Sequence, residues 1–316
     1  MLSAYDKNGK LITLLEGLPQ KQAFSCPACG GAVRLKKGSV MRPHFAHVSL
    51  KDCHFYTENE SDEHLCLKAE LYHSLSKSEQ VEVETFLPDL GQIADLLVNK
   101  KLALEVQCSR LSQERLCQRS LAYQRQGFQV LWLLGKKLWL GQKLTDLQKQ
   151  TLYFSQNMGF HLWELDVQNR QLRLKYMILE DLFGKLYYLT KSASFDDDLM
   201  AFFRQPYVQQ EMAQYEVPQM TNLALRIQKQ LMARNPRWLR QQEIAYSQGA
   251  NLIAQTDADF YPQVRPPQSP QGFCQISRDL SGYSAAFFRY YRGQENMSRQ
   301  ILYPPAFYVK METKKR

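Results

Sequence analysis

The segment from Gly91 to Ser109, GQIADLLVNKKLALEVQCS, constrains the fold more than any other part of the chain. Two short apolar runs, IADLLV and LALEV, flank the polar turn Asn99-Lys100-Lys101. That pattern predicts two antiparallel strands and a tight hairpin. Each run carries one carboxylate where a buried strand avoids charge, Asp95 in the first and Glu105 in the second. Gln107 follows Glu105 at i+2 and therefore leaves the same face of its strand. Acids within apolar strands are costly unless they are paired, hydrogen-bonded or bound to a cation. Oxygen ligands grouped in this way suit Mg²⁺ (or Mn²⁺), which takes one or two carboxylates and keeps several waters.

The flanks extend the pattern. Before the hairpin, Glu60-Ser61-Asp62-Glu63-His64 opens a helix whose apolar side includes Leu65, Leu67, Leu71 and Leu75. Ser61 is placed to cap that helix, with His64 and Lys68 one turn apart. His64 and Lys68 are further candidates for chemistry, and Glu60 or Glu63 for an additional acidic ligand. After the hairpin, Ser112 caps a second helix that runs to about Gln126 and carries Arg119 and Tyr123 at i, i+4. Gly127 ends it, and FQVLWLL at 128–134 reads as a buried strand. With a strand near 81–87, the order is helix, three strands, helix, strand.

Upstream, residues 2–15 read as a small hairpin turning at Asn8-Gly9. Cys26-Pro-Ala-Cys29-Gly30-Gly31 then places two thiolates at i, i+3 with glycines after the second, and Arg42-Pro-His44-Phe-Ala-His47 follows. Two thiolates and two imidazoles suit a tetrahedral Zn²⁺ site. The ligand set is Cys26, Cys29, His44 and His47, with Cys26, Cys29, His47 and Cys53 as the alternative. A closed four-ligand site is structural rather than catalytic, and residues 1–57 are expected to form a zinc-ribbon-like module.

Asp95 in one strand, Glu105-x-Gln107 in the next and a basic helix behind them resemble the PD-(D/E)XK nuclease core. In that resemblance Asp95 is the first acid and Glu105 the second, while Gln107 stands where lysine is usual. Arg119-x3-Tyr123 is similar to a helical motif of some branches, and Lys68 is the candidate to replace the missing lysine. With the CPAC and RPHFAH segments added, the chain resembles the competence protein CoiA family over roughly 26–135. The resemblance implies a restriction-endonuclease-like α/β core at 58–150 and DNA handling in natural transformation. The DNA would be single-stranded or branched, with the RecA recombinase as a suspected partner.

Bulk properties set the rest. The 316 residues, 44% hydrophobic and 12% aromatic, can bury a substantial core. Seven cysteines with no secretion signal or apolar run of membrane-span length indicate reduced thiols and a cytoplasmic location. The net charge of +9 is concentrated: residues 199–316 hold 15 Lys+Arg against 8 Asp+Glu, and residues 1–198 hold 25 against 23. Residues 151–198 read as a hairpin and linker, and 199–316 as a basic, mainly helical region. There Arg289 and Arg292, interleaved with Phe287, Phe288, Tyr290 and Tyr291, are candidate phosphate contacts. No phosphate-binding glycine loop is present, which disfavours an ATP-driven motor. Three functions compete: a Mg²⁺-dependent DNA nuclease, a non-cleaving DNA-binding protein on a nuclease-like fold, and an adaptor for a protein such as RecA.

Overall fold

The computed structural model describes residues 1–49, 53 and 60–313. The chain opens with five short strands, β1 (Ser3–Tyr5), β2 (Leu11–Thr13), β3 (Phe24–Ser25), β4 (Ala32–Lys36) and β5 (His44–His47). They form an antiparallel sheet in the order β2-β1-β3-β4-β5 around Phe24, Cys26, Val33 and Phe45.

Helix α1 (Asp62–Leu75) follows, its first turn capped by Ser61, whose hydroxyl accepts from His64 N at 3.2 Å. Then come β6 (Val81–Leu87), β7 (Gln92–Val98) and β8 (Leu102–Gln107). The β7–β8 loop has three residues, Val98 pairing with Leu102, and Asn99 and Lys100 turn it in the left-handed region at φ 49° and 54°, with Lys101 N donating to Val98 O at 3.1 Å. Helix α2 (Gln113–Arg125), capped by Ser112, carries the chain to β9 (Gln129–Leu134), which lies parallel to β8. A parallel neighbour cannot be reached by a tight turn, so the helical crossover is obligatory.

The period-2 alternation of β8 divides its side chains between two cores. Leu104 and Val106 pack with Leu67, Leu71 and Leu75 of α1. Ala103 packs with Leu116 and Tyr123 of α2, together with Val130 and Trp132. The sheet is thus covered on both faces, and Glu105, in step with Ala103, turns toward α2.

Beyond α3 (Asp146–Gln150) and β10 (Tyr153–Ser155), strands β11 (Gly159–Asp166), β12 (Gln171–Asp181) and β13 (Leu186–Ser194) widen the same sheet. Strands β11 and β12 form an antiparallel hairpin that is built into this sheet rather than standing apart as a connector. Strand β11 lies parallel to β9, with Trp163 opposite Leu133. Alternation reveals a strand but not the distant edge it joins, because register is fixed by partners far away in sequence.

The remaining elements are α4 (Leu199–Arg204), β14 (Tyr215–Pro218), α5 (Leu223–Met232), α6 (Pro236–Ser247), β15 (Val264–Arg265), α7 (Ser281–Arg292), β16 (Arg299–Leu302) and α8 (Pro305–Thr313). Phe287, Tyr291 and Tyr308 join the main core, whereas α5 and α6 close over a separate cluster of Leu223, Ile227, Leu231 and Trp238. Among the described residues no helix is long and apolar enough to cross a membrane.

One buried histidine makes the core sensitive to acid. His161 on β11 donates from Nδ1 to Gly159 O at 3.0 Å, and its Nε2 has no partner among the described residues. Burial lowers its pKa to about 4, against about 6.5 for the unfolded chain. Between those values the unfolded chain binds the extra proton, so stability rises with pH through this window and falls on acidification. Between pH 7 and pH 4.5 this residue should remove about 2 to 3 kcal/mol. Urea unfolding at both pH values should show His161→Gln free of that component. Identical pH dependence in the two proteins would exclude the assignment.

Candidate functional site

The β7–β8 ladder ends at the Leu96–Leu104 pair, and one residue further Asp95 takes over the hydrogen bonding. Its Oδ2 accepts from Val106 N at 2.9 Å and lies 3.2 Å from His64 Nε2. The carboxylate thus stands where the two strands part. Glu105 is buried, and its Oε1 accepts from Arg119 Nη2 at 2.7 Å and from the Tyr123 hydroxyl at 2.5 Å. Arg119 and Tyr123 reach it together because they lie one turn apart on α2. Gln107 is buried on the same strand face and donates from Nε2 to Ser109 O at 2.9 Å.

Helix α1 and the residues before it supply the opposite wall. Glu60, His64 and Lys68 recur every four residues, so they share one side. Lys68 is 0% exposed. Its Nζ bonds Glu60 Oε1, bonds Glu84 Oε1 at 2.5 Å and lies 3.6 Å from Asp95 Oδ1. The other Glu84 oxygen accepts the backbone N–H groups of Leu2 and Ser3 at 2.7 and 2.9 Å, and the other Glu60 oxygen pairs with the Met1 amine. Glu63 turns away, accepting from Lys136 N at 2.8 Å.

Sequence reasoning missed Glu84. In VEVETFL it alternates with valines as a solvent-facing residue would, so no signal marked it.

The backbone shows its special position. Glu84 has φ 52°, a left-handed conformation uncommon for a residue with a long side chain. The β6–β7 register runs through Val83–Leu96 and Thr85–Ala94, and Glu84 and Asp95 are the facing pair missing from the ladder. Both carboxylates are directed to Lys68 instead.

The two hairpin acids have opposite electrostatics. Burial raises the Asp95 pKa, but the charges of His64, Lys68 and Arg119 outweigh it and hold the group at about 2. Burial raises Glu105 to about 7, in spite of Arg119 and with Asp95 adding to the rise. Glu60, His64 and Asp95 each offer one ligand atom, all within 4.8 Å of one another, so this trio can hold a metal ion. The cleft they border, about 270 Å³, is also lined by Glu105, Gln107 and Arg119.

The zinc motif closes the cleft from the other side. Cys26, Cys29, His47 and Cys53 bring one ligand atom each within 4.8 Å of the others. The knuckle is made by the chain itself: Gly30 N donates to Cys26 O at 2.9 Å, with Gly30 at φ 70°. Gly31 N donates to Cys29 Sγ at 3.4 Å, and Cys29 Sγ lies 3.5 Å from His47 Nε2. A Cβ on Gly31 would stand 3.2 Å from that sulfur. Three thiols and one imidazole fit Zn²⁺ in a closed tetrahedral site.

His44 lies outside this set and donates from Nδ1 to Arg42 O at 2.9 Å. His44 and His47 share strand β5, and residues three apart on a strand leave opposite faces. The alternative set with Cys53 is therefore the one brought together. Cys26, His47 and Cys53 also line the cleft that holds Asp95.

Arg289 and Arg292 are exposed on α7, away from the cleft lining, and Arg289 pairs with Glu312. Phe287 and Tyr291 are buried beside them.

The geometry predicts which substitutions release zinc. Purified protein should carry about one zinc per chain by elemental analysis. Cys29→Ser and Cys53→Ser should lose it, while His44→Ala keeps it. Zinc retained by Cys53→Ser, or lost from His44→Ala, would contradict this ligand set.

Comparison with known proteins agrees with the site's two-part construction. Residues 9–56 match the family model described as competence protein CoiA, N-terminal domain. Residues 60–196 match the model described as competence protein CoiA, nuclease-like domain. Competence protein CoiA of Bacillus subtilis (strain 168) is 31% identical over 120 residues, 37% of this chain and 32% of that protein. The aligned part of the chain thus spans about a third of that relative's length. No solved structure matches the chain. Since the two CoiA domain models, adjacent and in order, together cover more than half of the sequence, the chain belongs to the CoiA family of competence proteins.

Proposed function

We propose that the protein acts on DNA during competence as a metal-dependent phosphodiester hydrolase with a PD-(D/E)XK-like site. The observation that carries this reading is the convergence of Asp95, His64 and Glu60 on one cleft that Glu105 also lines. Asp95, Glu60 and His64 would hold Mg²⁺ or Mn²⁺, with Glu105 as the second hairpin acid. Such an ion supplies a lowered water pKa and charge to offset that building on the phosphate. The chain's own groups do the positioning. Val106 N fixes the Asp95 carboxylate, and Arg119 and Tyr123 fix Glu105. Arg119 lines the cleft and is the cation we assign to the role that lysine has in the usual motif, since Lys68 is enclosed by carboxylates.

A second reading is a non-cleaving accessory that holds DNA for a recombinase such as RecA. Gln107 favours it, because a neutral amide engaged with Ser109 brings no charge to a phosphate.

Incubating labelled single-stranded and branched DNA with the protein, with and without Mg²⁺ or Mn²⁺, separates the two. Under the hydrolase reading the wild type cleaves, and Asp95→Asn lowers the rate by about a hundredfold or more. Affinity measured without added divalent ions should change little. Equal cleavage by wild type and variant would defeat the hydrolase reading, and binding without cleavage by the wild type would establish the accessory one.

For the backbone footprint we assign α5 and α6. Arg226 and Lys229 on α5, Arg237 and Arg240 on α6, and Arg234 in the turn between them are exposed, with no carboxylate within ion-pair distance among the described residues. Every phosphate neutralised by a basic side chain steepens the fall of log affinity with log salt by about 0.7 to 0.9. Alanine at these five positions should flatten the salt dependence by several such steps, and Arg289→Ala with Arg292→Ala by fewer. The reverse ranking would return the footprint to α7.

A further inference from the structure

We infer that the buried ammonium of Lys68 stands in the place of a second divalent cation, so that the cleft takes one metal ion rather than two. The inference rests on the metal-binding reading of the cleft. Two-metal phosphoryl-transfer sites hold their ions about 3.5–4 Å apart between shared carboxylates. Asp95 has the position of such a bridging group. Its Oδ2 is on the side of His64 Nε2, 3.2 Å away, and its Oδ1 is 3.6 Å from Lys68 Nζ. Glu60 also touches both sides, through a single oxygen: its Oε1 bonds Lys68 Nζ and lies 3.6 Å from His64 Nδ1. Glu84 completes the set around the ammonium and belongs to no metal-ligand group among the described residues.

Three carboxylates converging on one interior point are a cation site. Left without positive charge, they would repel one another and lose hydration. Lys68 supplies that charge permanently, from a helix held in place by Leu67 and Leu71. The side chain is fully enclosed and its neighbours at Nζ are carboxylates, so it is a positioning residue and not a phosphate contact.

The test counts Mn²⁺ on the zinc-loaded full chain by equilibrium dialysis, with electron paramagnetic resonance to detect coupling between neighbouring ions. The wild type should bind one Mn²⁺ in addition to its zinc, with an uncoupled signal. Lys68→Met should bind two and show a coupled signal. Glu84→Gln, which keeps the ammonium, should stay at one.

One ion on folded Lys68→Met, or two on the wild type or on Glu84→Gln, overturns the inference while leaving the metal reading intact. A wild type that binds no Mn²⁺ defeats the metal reading itself, and the inference with it. If Lys68→Met folds only with metal, circular dichroism during refolding at rising Mn²⁺ gives the answer. Recovery with two ions bound supports the assignment, and no recovery at millimolar Mn²⁺ overturns it.

Discussion

Carboxylates resist leaving water, and this cleft gathers Glu60, Glu84 and Asp95 around a single ammonium. Most of the architecture near the cleft can be traced to satisfying those three groups. Glu84 gives one oxygen to Lys68 and the other to the backbone of β1, which fastens the N-terminal sheet to the central one. Asp95 replaces a strand partner for Val106, and so fixes the point at which β7 and β8 separate. Helix α1 is held against the sheet by leucines on one side and by this ionic cluster on the other.

The second hairpin acid is managed differently. Glu105 faces α2, where a guanidinium and a phenol share one of its oxygens. Burial raises both acids: at Glu105 it prevails and leaves the pKa near 7, whereas at Asp95 the charges of His64, Lys68 and Arg119 outweigh it and hold the pKa near 2. Two acids ten residues apart on one hairpin therefore offer different charge states at neutral pH.

Local chemistry was legible in the sequence, and long-range geometry was not. Asp95 and Glu105 stood out because an acid in an apolar run is anomalous, and Ser61, Ser112 and Gly127 marked helix ends by their own stereochemistry. CPACGG revealed the knuckle, but the choice between His44 and Cys53 depended on HFAH being a strand, where spacing by three separates side chains. Glu84 was hidden because its role comes from Lys68 and β1, neither adjacent in sequence. The joining of β11 to β9 was hidden for the same reason. The pairing of Arg289, a candidate phosphate contact, with Glu312 was hidden too, because the two lie 23 residues apart.

The shared wall between the cysteine cluster and the cleft has a practical consequence at the bench. Cys26, His47 and Cys53 are at once zinc-ligand candidates and part of the surface facing Asp95. A chelator strong enough to extract zinc would loosen that surface as well as remove any ion beside Asp95. Under the hydrolase proposal, activity abolished by such a reagent would have two distinct origins. Recovery on adding magnesium alone would trace the loss to the carboxylates, and recovery that also requires zinc would trace it to the collapsed wall.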